Sequence, residues 1–414
     1  MLVQFSVKNY RSLKDKMTLS LLAGTDKEHA GDLIKPDSKK LLVPVAAIYG
    51  ANSSGKSNIL MAMKTMQDMI TGISAQLLKE KKLPYDPFAF DNITKANMPT
   101  EFDIIFYYNG IKYAYNFSYN AKHILTEALY HWPKGREALI FSREKDKFEF
   151  RENISEQTIL AGRTPSNRLY LVSSNEWNAP QTALAYKWFT EKLLPYNEQE
   201  TRTVTARALS DLTPNPVYGR IKNELALADL GISDVYSKHD PAHQDNSEVF
   251  FLHKTEGESG PEYFELDLEQ ESQGTQRFFA RIGPWISALE KGGVLFVDEI
   301  EASLHPMLTR RLVEMMQDPK INTNHAQLIF TAHDVMLLDL TLLRRDQIWF
   351  TDKDPHTLAT ELFSLWDFSV RKGESIRKGY LQGRYGAIPF IGGDVRWQEI
   401  KNGSAQQDVT SAGR

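Results

Sequence analysis

The 414-residue chain contains no cysteine. That absence excludes a disulfide framework, a thiolate metal site and a cysteine nucleophile, and it fits a reducing compartment. Charge imbalance is lacking too, since 49 Lys and Arg face 53 Asp and Glu for a net charge of -4. Nothing overall pulls such a chain toward nucleic acid or an anionic membrane, so binding of that kind must come from local patches. No apolar run approaches the roughly 18 to 20 residues of a membrane-spanning helix. The longest, such as Leu41 to Tyr49, have the length of a buried strand. Met1 to Lys8 alternates apolar and polar residues and has no signal-peptide pattern, so a cytoplasmic protein without a membrane partner is expected. There is no internal repeat, no low-complexity tract and no G-x-S-x-G nucleophile site, and none of the nine histidines other than His333 falls at a convincing metal-ligand spacing.

What is present is the composition of a folded protein, 42% hydrophobic, 25% charged and 11% aromatic. Its length predicts two or three structural units. Strand-like runs at Leu2 to Val7, Met17 to Leu22 and Leu41 to Tyr49 lead to Gly50, and Asn58 to Ile73 then carries Ile59, Met63, Met66, Met69 and Ile70 at helical spacing. The methionine stripe reads as core filling. From Glu101 the period becomes two: Phe102 to Tyr108 and Ile111 to Tyr119 flank Asn109-Gly110, a strong hairpin signal. A second hairpin joins Ala138 to Arg143 with Phe148 to Arg151, so residues 100 to 151 read as an antiparallel meander. Residues 176 to 231 are mostly helical in pattern, broken by Pro195 and Pro214-Asn215-Pro216, and Ser237 to Gly260 is polar around a short strand. Thereafter the apolar runs Val294 to Val297 and Leu328 to Phe330, each followed by helix-like sequence, predict a buried parallel sheet.

The decisive segment is Gly50-Ala51-Asn52-Ser53-Ser54-Gly55-Lys56-Ser57, which fits G-x-x-x-x-G-K-[ST] between an apolar strand and a helix. There, backbone N–H groups and the positive helix terminus converge on a polyphosphate. Lys56 is expected to neutralise the β- and γ-phosphates and Ser57 to ligate Mg²⁺. Val294-Leu295-Phe296-Val297 ends in Asp298-Glu299, which brings two carboxylates to the C-terminal edge of a buried strand. Asp298 is expected to hold the metal, and Glu299 to accept a proton from the attacking water.

Lys56 and Asp298 are 242 residues apart, more than a compact nucleotide-binding core needs. In this the chain resembles the ABC-type ATPases of the SMC, Rad50 and RecF group, as does its opening Phe5-Ser6-Val7-Lys8-Asn9-Tyr10-Arg11-Ser12-Leu13. By that resemblance Arg11 approaches the nucleotide. Ser272-Gln273-Gly274-Thr275, before the helical run Gln276 to Leu289, is similar to the signature motif that binds the γ-phosphate of the opposite subunit, with Gln273 departing from the common Ser-Gly-Gly form. Ser303-Leu304-His305-Pro306 resembles the group's interface loop, and Thr331-Ala332-His333-Asp334 its switch histidine. The family's Q-loop glutamine has no clear counterpart; Gln181 is one candidate. Gly379-Tyr380-Leu381-Gln382-Gly383-Arg384-Tyr385-Gly386-Ala387-Ile388-Pro389-Phe390 resembles the ending of AAA15/AAA21-type ATPases of bacterial restriction-associated and abortive-infection operons, the RloA and AbiL type.

The resemblance implies an α/β fold: an ABC-ATPase-like head with a mixed or parallel core sheet, an antiparallel β meander and an inserted helical subdomain. The expected division is an N-terminal ATPase lobe over 1–175, the helical insertion over 176–236, a C-terminal lobe over 237–394 and a loosely ordered tail over 395–414. The implied function is a Mg²⁺-dependent ATPase working at a dimer interface as sensor or regulator of a Toprim-like effector in anti-phage defence, with nucleic acid as a candidate trigger. The expected catalytic set is Lys56, Glu299 and His333; the ATP-binding set is Gly50, Asn52, Ser53, Ser54, Gly55, Lys56, Ser57, Asn58, Arg11, Ser272 and Gly274; the metal pair is Ser57 and Asp298. Two alternatives stand beside it. One is a RecF-like repair factor binding duplex DNA through Arg310-Arg311, Arg344-Arg345, Arg371-Lys372 and Arg377-Lys378; the other is an ATP-bound scaffold that sequesters an effector.

Overall fold

The computed structural model describes residues 1–37, 39–72, 82–92, 94, 98–196, 205–206, 209, 216–228, 231–239, 247–257, 260–370 and 373–388. The expected tail over 395–414, Ile73, Pro214-Asn215, Arg371-Lys372 and Pro389-Phe390 lie outside them. The chain is of mixed α/β class, with three sheets among the described residues.

The central sheet has six strands in the order β16-β15-β3-β14-β13-β9. β3 (Val45–Gly50), β9 (Leu193–Pro195), β13 (Val294–Val297), β14 (Gln327–Thr331) and β15 (Ile348–Lys353) run parallel, and β16 (Thr360–Ser364) closes one edge antiparallel to β15. Alternation along β3 divides two cores. Ala46 and Ile48 face a core shared with α1 (Lys56–Thr71), where Ile59, Met63, Met66, Met69 and Ile70 are buried as core filling. Val45, Ala47 and Tyr49 face the other, shared with α6 (Gln273–Lys291) and α7 (Pro306–Gln317).

The first core is closed by an antiparallel sheet in the order β2-β1-β4-β5-β6-β7-β8. It comprises β1 (Leu2–Lys8), β2 (Met17–Ser20), β4 (Thr100–Tyr108), β5 (Ile111–Tyr119), β6 (Ile124–Trp132), β7 (Ala138–Glu144) and β8 (Lys147–Phe150). Asn109 and Gly110 both take positive φ, 50° and 75°, as a two-residue hairpin turn requires. Phe102, Phe106, Tyr115, Phe117 and Tyr119 are buried, so the aromatics of this meander form its core face. α2 (Ile154–Gly162), α3 (Tyr170–Glu176) and α4 (Pro180–Glu191) follow, and Trp188 of α4 stacks on Phe106 with ring centroids 4.2 Å apart.

Between residues 176 and 236 the chain thus also supplies β9 to the central sheet, before α5 (Pro216–Leu227). The polar stretch read around one short strand forms a three-stranded antiparallel sheet of β10 (Ile232–His239), β11 (Ser247–Gly257) and β12 (Gly260–Asp267). A further helix, α8 (Ile376–Leu381), lays Tyr380 against Phe350 of β15. Among the described residues, no helix is long and apolar enough to cross a membrane.

Candidate functional site

β3 ends at Gly50 and α1 begins at Lys56, two residues earlier than the periodicity predicts, because Gly55 turns the chain at φ 105°. That conformation suits glycine, and space demands it as well. A Cβ on Gly55 would collide with Thr360 Oγ1, and one on Gly50 with the carbonyl oxygen of Thr351. The loop is braced from β15 and β16: Ser54 and Thr351 hydroxyls are 2.6 Å apart, and Thr360 donates to Ser54 O at 2.8 Å. Ser12 joins this brace, meeting Thr360 Oγ1 at 2.7 Å and accepting from Asn58 Nδ2 at 2.7 Å. Asn52 and Ser53 are exposed, with Ser53 left-handed at φ 65°.

Lys56 is buried and donates to Gly50 O at 2.8 Å and Ala51 O at 3.0 Å. Burial pulls its pKa below the usual lysine value, opposed by the nearby charges of Asp298, Glu299 and Glu301. At the next position Ser57 Oγ donates to Asp298 Oδ1 at 3.1 Å, and Thr331 Oγ1, from the end of β14, donates to the same oxygen at 2.5 Å. Thr331 Oγ1 also accepts from Glu299 N at 2.8 Å, so one hydroxyl fixes both acids. Glu299 is exposed in a left-handed conformation, φ 49°, with the turn behind it held by Arg281 Nη1 donating to Ile300 O at 2.6 Å. A non-glycine residue at positive φ in such a turn is a strained placement.

His333 is exposed just beyond β14. Its backbone N–H donates to Glu301 Oε1 at 2.5 Å. Lys56, Ser57, Asp298, Glu299 and His333 therefore converge on the C-terminal edge of β3, β13 and β14, where an open parallel sheet binds its ligands. Other candidates stand elsewhere. Ser272 is exposed and caps α6, accepting from Thr275 N at 3.1 Å, and Gly274 follows in its first turn. Neither bonds the 50–57 loop among the described residues. Arg11 pairs with Asp86 at 2.9 Å and donates to Met61 Sδ at 2.8 Å, on the flank of α1. His305 caps α7 by accepting from Met307 N at 3.3 Å, and Gln181 lies in the first turn of α4. Sequence reasoning missed Ser12, Thr351, Thr360 and Glu301; only Glu301 had a signal, its place in the Asp298-Glu299-Ile300-Glu301 run.

Hard oxygen donors from a hydroxyl and a carboxylate suit Mg²⁺, which keeps most of its shell as water and phosphate oxygens. Glycines where a Cβ would collide, an ammonium beside the loop carbonyls and a paired hydroxyl and carboxylate form a set of groups that fits a polyphosphate and a divalent ion.

Residues 45–339 match the family model described as AAA domain, putative AbiEii toxin, Type IV TA system. The chain belongs to that family. An AAA domain is an ATPase-type module, and the matched span of the family takes in the 50–57 loop, both acids, Glu301, Ser272 and His333. No curated protein matches the chain. Among solved structures, the SMC head domain from Thermotoga maritima is similar over 89% of this chain and 99% of that one, at 13% identity and a TM-score of 0.42.

Proposed function

We propose that the chain hydrolyses ATP with Mg²⁺, between two copies of itself, to control a partner effector in bacterial anti-phage defence. The single observation that carries the ATPase reading is the contact of Ser57 with Asp298, which joins the phosphate loop to the carboxylate strand. Mg²⁺ held by that pair would supply charge neutralisation on the phosphates. Lys56 would exchange its loop carbonyls for phosphate oxygens. Glu299 would orient the attacking water and take its proton, and His333 would contact the γ-phosphate from the end of β14. Catalysis in such a site is positioning and electrostatics.

Ser272 supports the dimeric reading. It is exposed at the start of the 19-residue α6, where its hydroxyl caps the helix through Thr275, and it makes no bond to the 50–57 loop of its own chain among the described residues, so it would face the loop of a second copy. ATP would then favour the closed pair, because only that state offers the γ-phosphate donors from both subunits. The defence role is supported by the family's description and by the ending from Gly379, which resembles that of restriction-associated ATPases commonly encoded beside a Toprim-like protein. Duplex-DNA binding through the basic pairs is less well supported. Arg310 bonds Glu314 and Asp339, Arg311 bonds Glu224, Arg344 bonds Asp346, and Arg345 bonds Asp26.

The test is ATP turnover and sedimentation of the purified chain beside Glu299→Gln. Removing a general base should cut kcat by about 10²–10⁴-fold while leaving ATP binding intact, and should trap a dimer in ATP and Mg²⁺. Unchanged turnover would remove Glu299 from its role, and a monomer under those conditions would remove the shared site.

A further inference from the structure

Glu301 belongs to none of the roles assigned above, yet it joins two of the site's elements. It follows the turn that carries Asp298 and Glu299, and its Oε1 accepts from His333 N at 2.5 Å and from Asp334 N at 3.1 Å. Asp334 in turn caps the short 3-10 turn Val335–Leu337, accepting from Met336 N at 2.8 Å. One carboxylate oxygen therefore fixes the backbone on which the His333 ring is mounted. Its second oxygen, Oε2, is buried and has no hydrogen-bond partner among the described residues.

One acceptor oxygen holds both amides, and a buried carboxylate oxygen left unpaired costs free energy with no gain in packing. The cost is of the kind found where a site is held ready for a ligand. Glu301 also lies close enough to Lys56 to oppose the fall in its pKa, so the charge stands within the phosphate-binding neighbourhood.

We infer that Glu301 is a positioning residue: by holding the His333 and Asp334 amides it sets the histidine against the γ-phosphate position and ties the carboxylate turn after β13 to the histidine turn after β14. This rests on the ATPase reading of the site. Loss of Glu301 leaves the phosphate loop, Ser57 and Asp298 as they are, so nucleotide binding survives while the catalytic geometry loosens. Glutamine keeps an acceptor oxygen at the same place and preserves the clasp.

The experiment compares wild type, Glu301→Ala and Glu301→Gln in two ways. Steady-state kinetics should show kcat lowered about tenfold or more in Glu301→Ala, as expected for a misplaced catalytic group. KM and the Kd of a fluorescent ATP analogue should change less than threefold, and Glu301→Gln should recover most of the rate. Hydrogen exchange over residues 331–338 should be faster in Glu301→Ala than in wild type and restored in Glu301→Gln. A wild type without turnover would defeat the ATPase reading, and the exchange measurement would still decide the clasp. Wild-type kcat in Glu301→Ala, or unchanged exchange, would overturn the role of Glu301 alone. Equal losses of kcat and nucleotide affinity would also overturn it, since they would mark general damage to the site.

Discussion

Ser57 Oγ donates to Asp298 Oδ1 at 3.1 Å across 241 residues of sequence. The bond places a hydroxyl and a carboxylate where one divalent ion can meet both. Ser57→Ala and Asp298→Asn should each weaken Mg²⁺-dependent ATP binding by about 10- to 100-fold, the worth of one interaction with a charged partner. With EDTA present the variants and wild type should bind alike. Titration of a fluorescent nucleotide with and without Mg²⁺ reads the difference, and equal losses in both conditions would refute the assignment.

Gly55 sits at φ 105° against Thr360 Oγ1. Gly55→Ala should therefore reshape the phosphate loop and lower ATP affinity at least as far as Lys56→Ala does, while circular dichroism stays that of the wild type. Retained tight binding in either variant, measured by calorimetry, would count against the phosphate loop as the nucleotide's seat.

Glu127 on β6 is fully buried, accepts from Tyr115 Oη and from the N–H groups of Tyr170 and Leu171, and lies 3.7 Å from the equally buried Arg143. Glu127→Ala would leave the Tyr115 hydroxyl and the first turn of α3 without their acceptor and the buried Arg143 guanidinium without its counter-charge. Urea unfolding should show a loss of about 3–5 kcal/mol, the usual cost of breaking a buried pair from one side. A loss below 1 kcal/mol would show that solvent or a neighbour replaces the carboxylate.

Burial holds the His131 imidazole below its ordinary pKa, partly offset by the charge of Glu152. The folded state thus resists protonation that the unfolded chain accepts from about pH 6.5 downward. Stability contributed by the neutral ring is intact above that pH and is lost as pH falls toward the lower folded value. His131→Phe should flatten the dependence of unfolding free energy on pH between 7 and 5, and an unaltered slope would dismiss the effect.

Local signals were enough to read β3, the loop and α1, because an apolar strand, two glycines and a helical stripe are contiguous in the chain. The Asn109-Gly110 hairpin and the strands at Val294 and Gln327 were legible for the same reason. β6 was obscured because one of its inward positions is filled by Glu127, a carboxylate matched by Arg143 on the neighbouring strand, so the apolar alternation fails. Thr351 and Thr360 carried no signal, since their partner Ser54 is some 300 residues away and an isolated threonine in a strand is ordinary. Arg11 is directed toward the nucleotide only by the likeness of its turn, and its bonds to Asp86 and Met61 are contacts that only the folded chain reveals.

The central place of β3 has a consequence for biosynthesis. Its two neighbours, β14 and β15, begin at residues 327 and 348, and the hydroxyls that shape its loop arrive with Thr351 and Thr360. A ribosome must therefore deliver most of the polypeptide before the earliest motif acquires its working form, and pairings over such spans close slowly. Nascent fragments ending ahead of β15 would be mute toward ATP, which makes nucleotide capture a built-in report that synthesis has passed that strand.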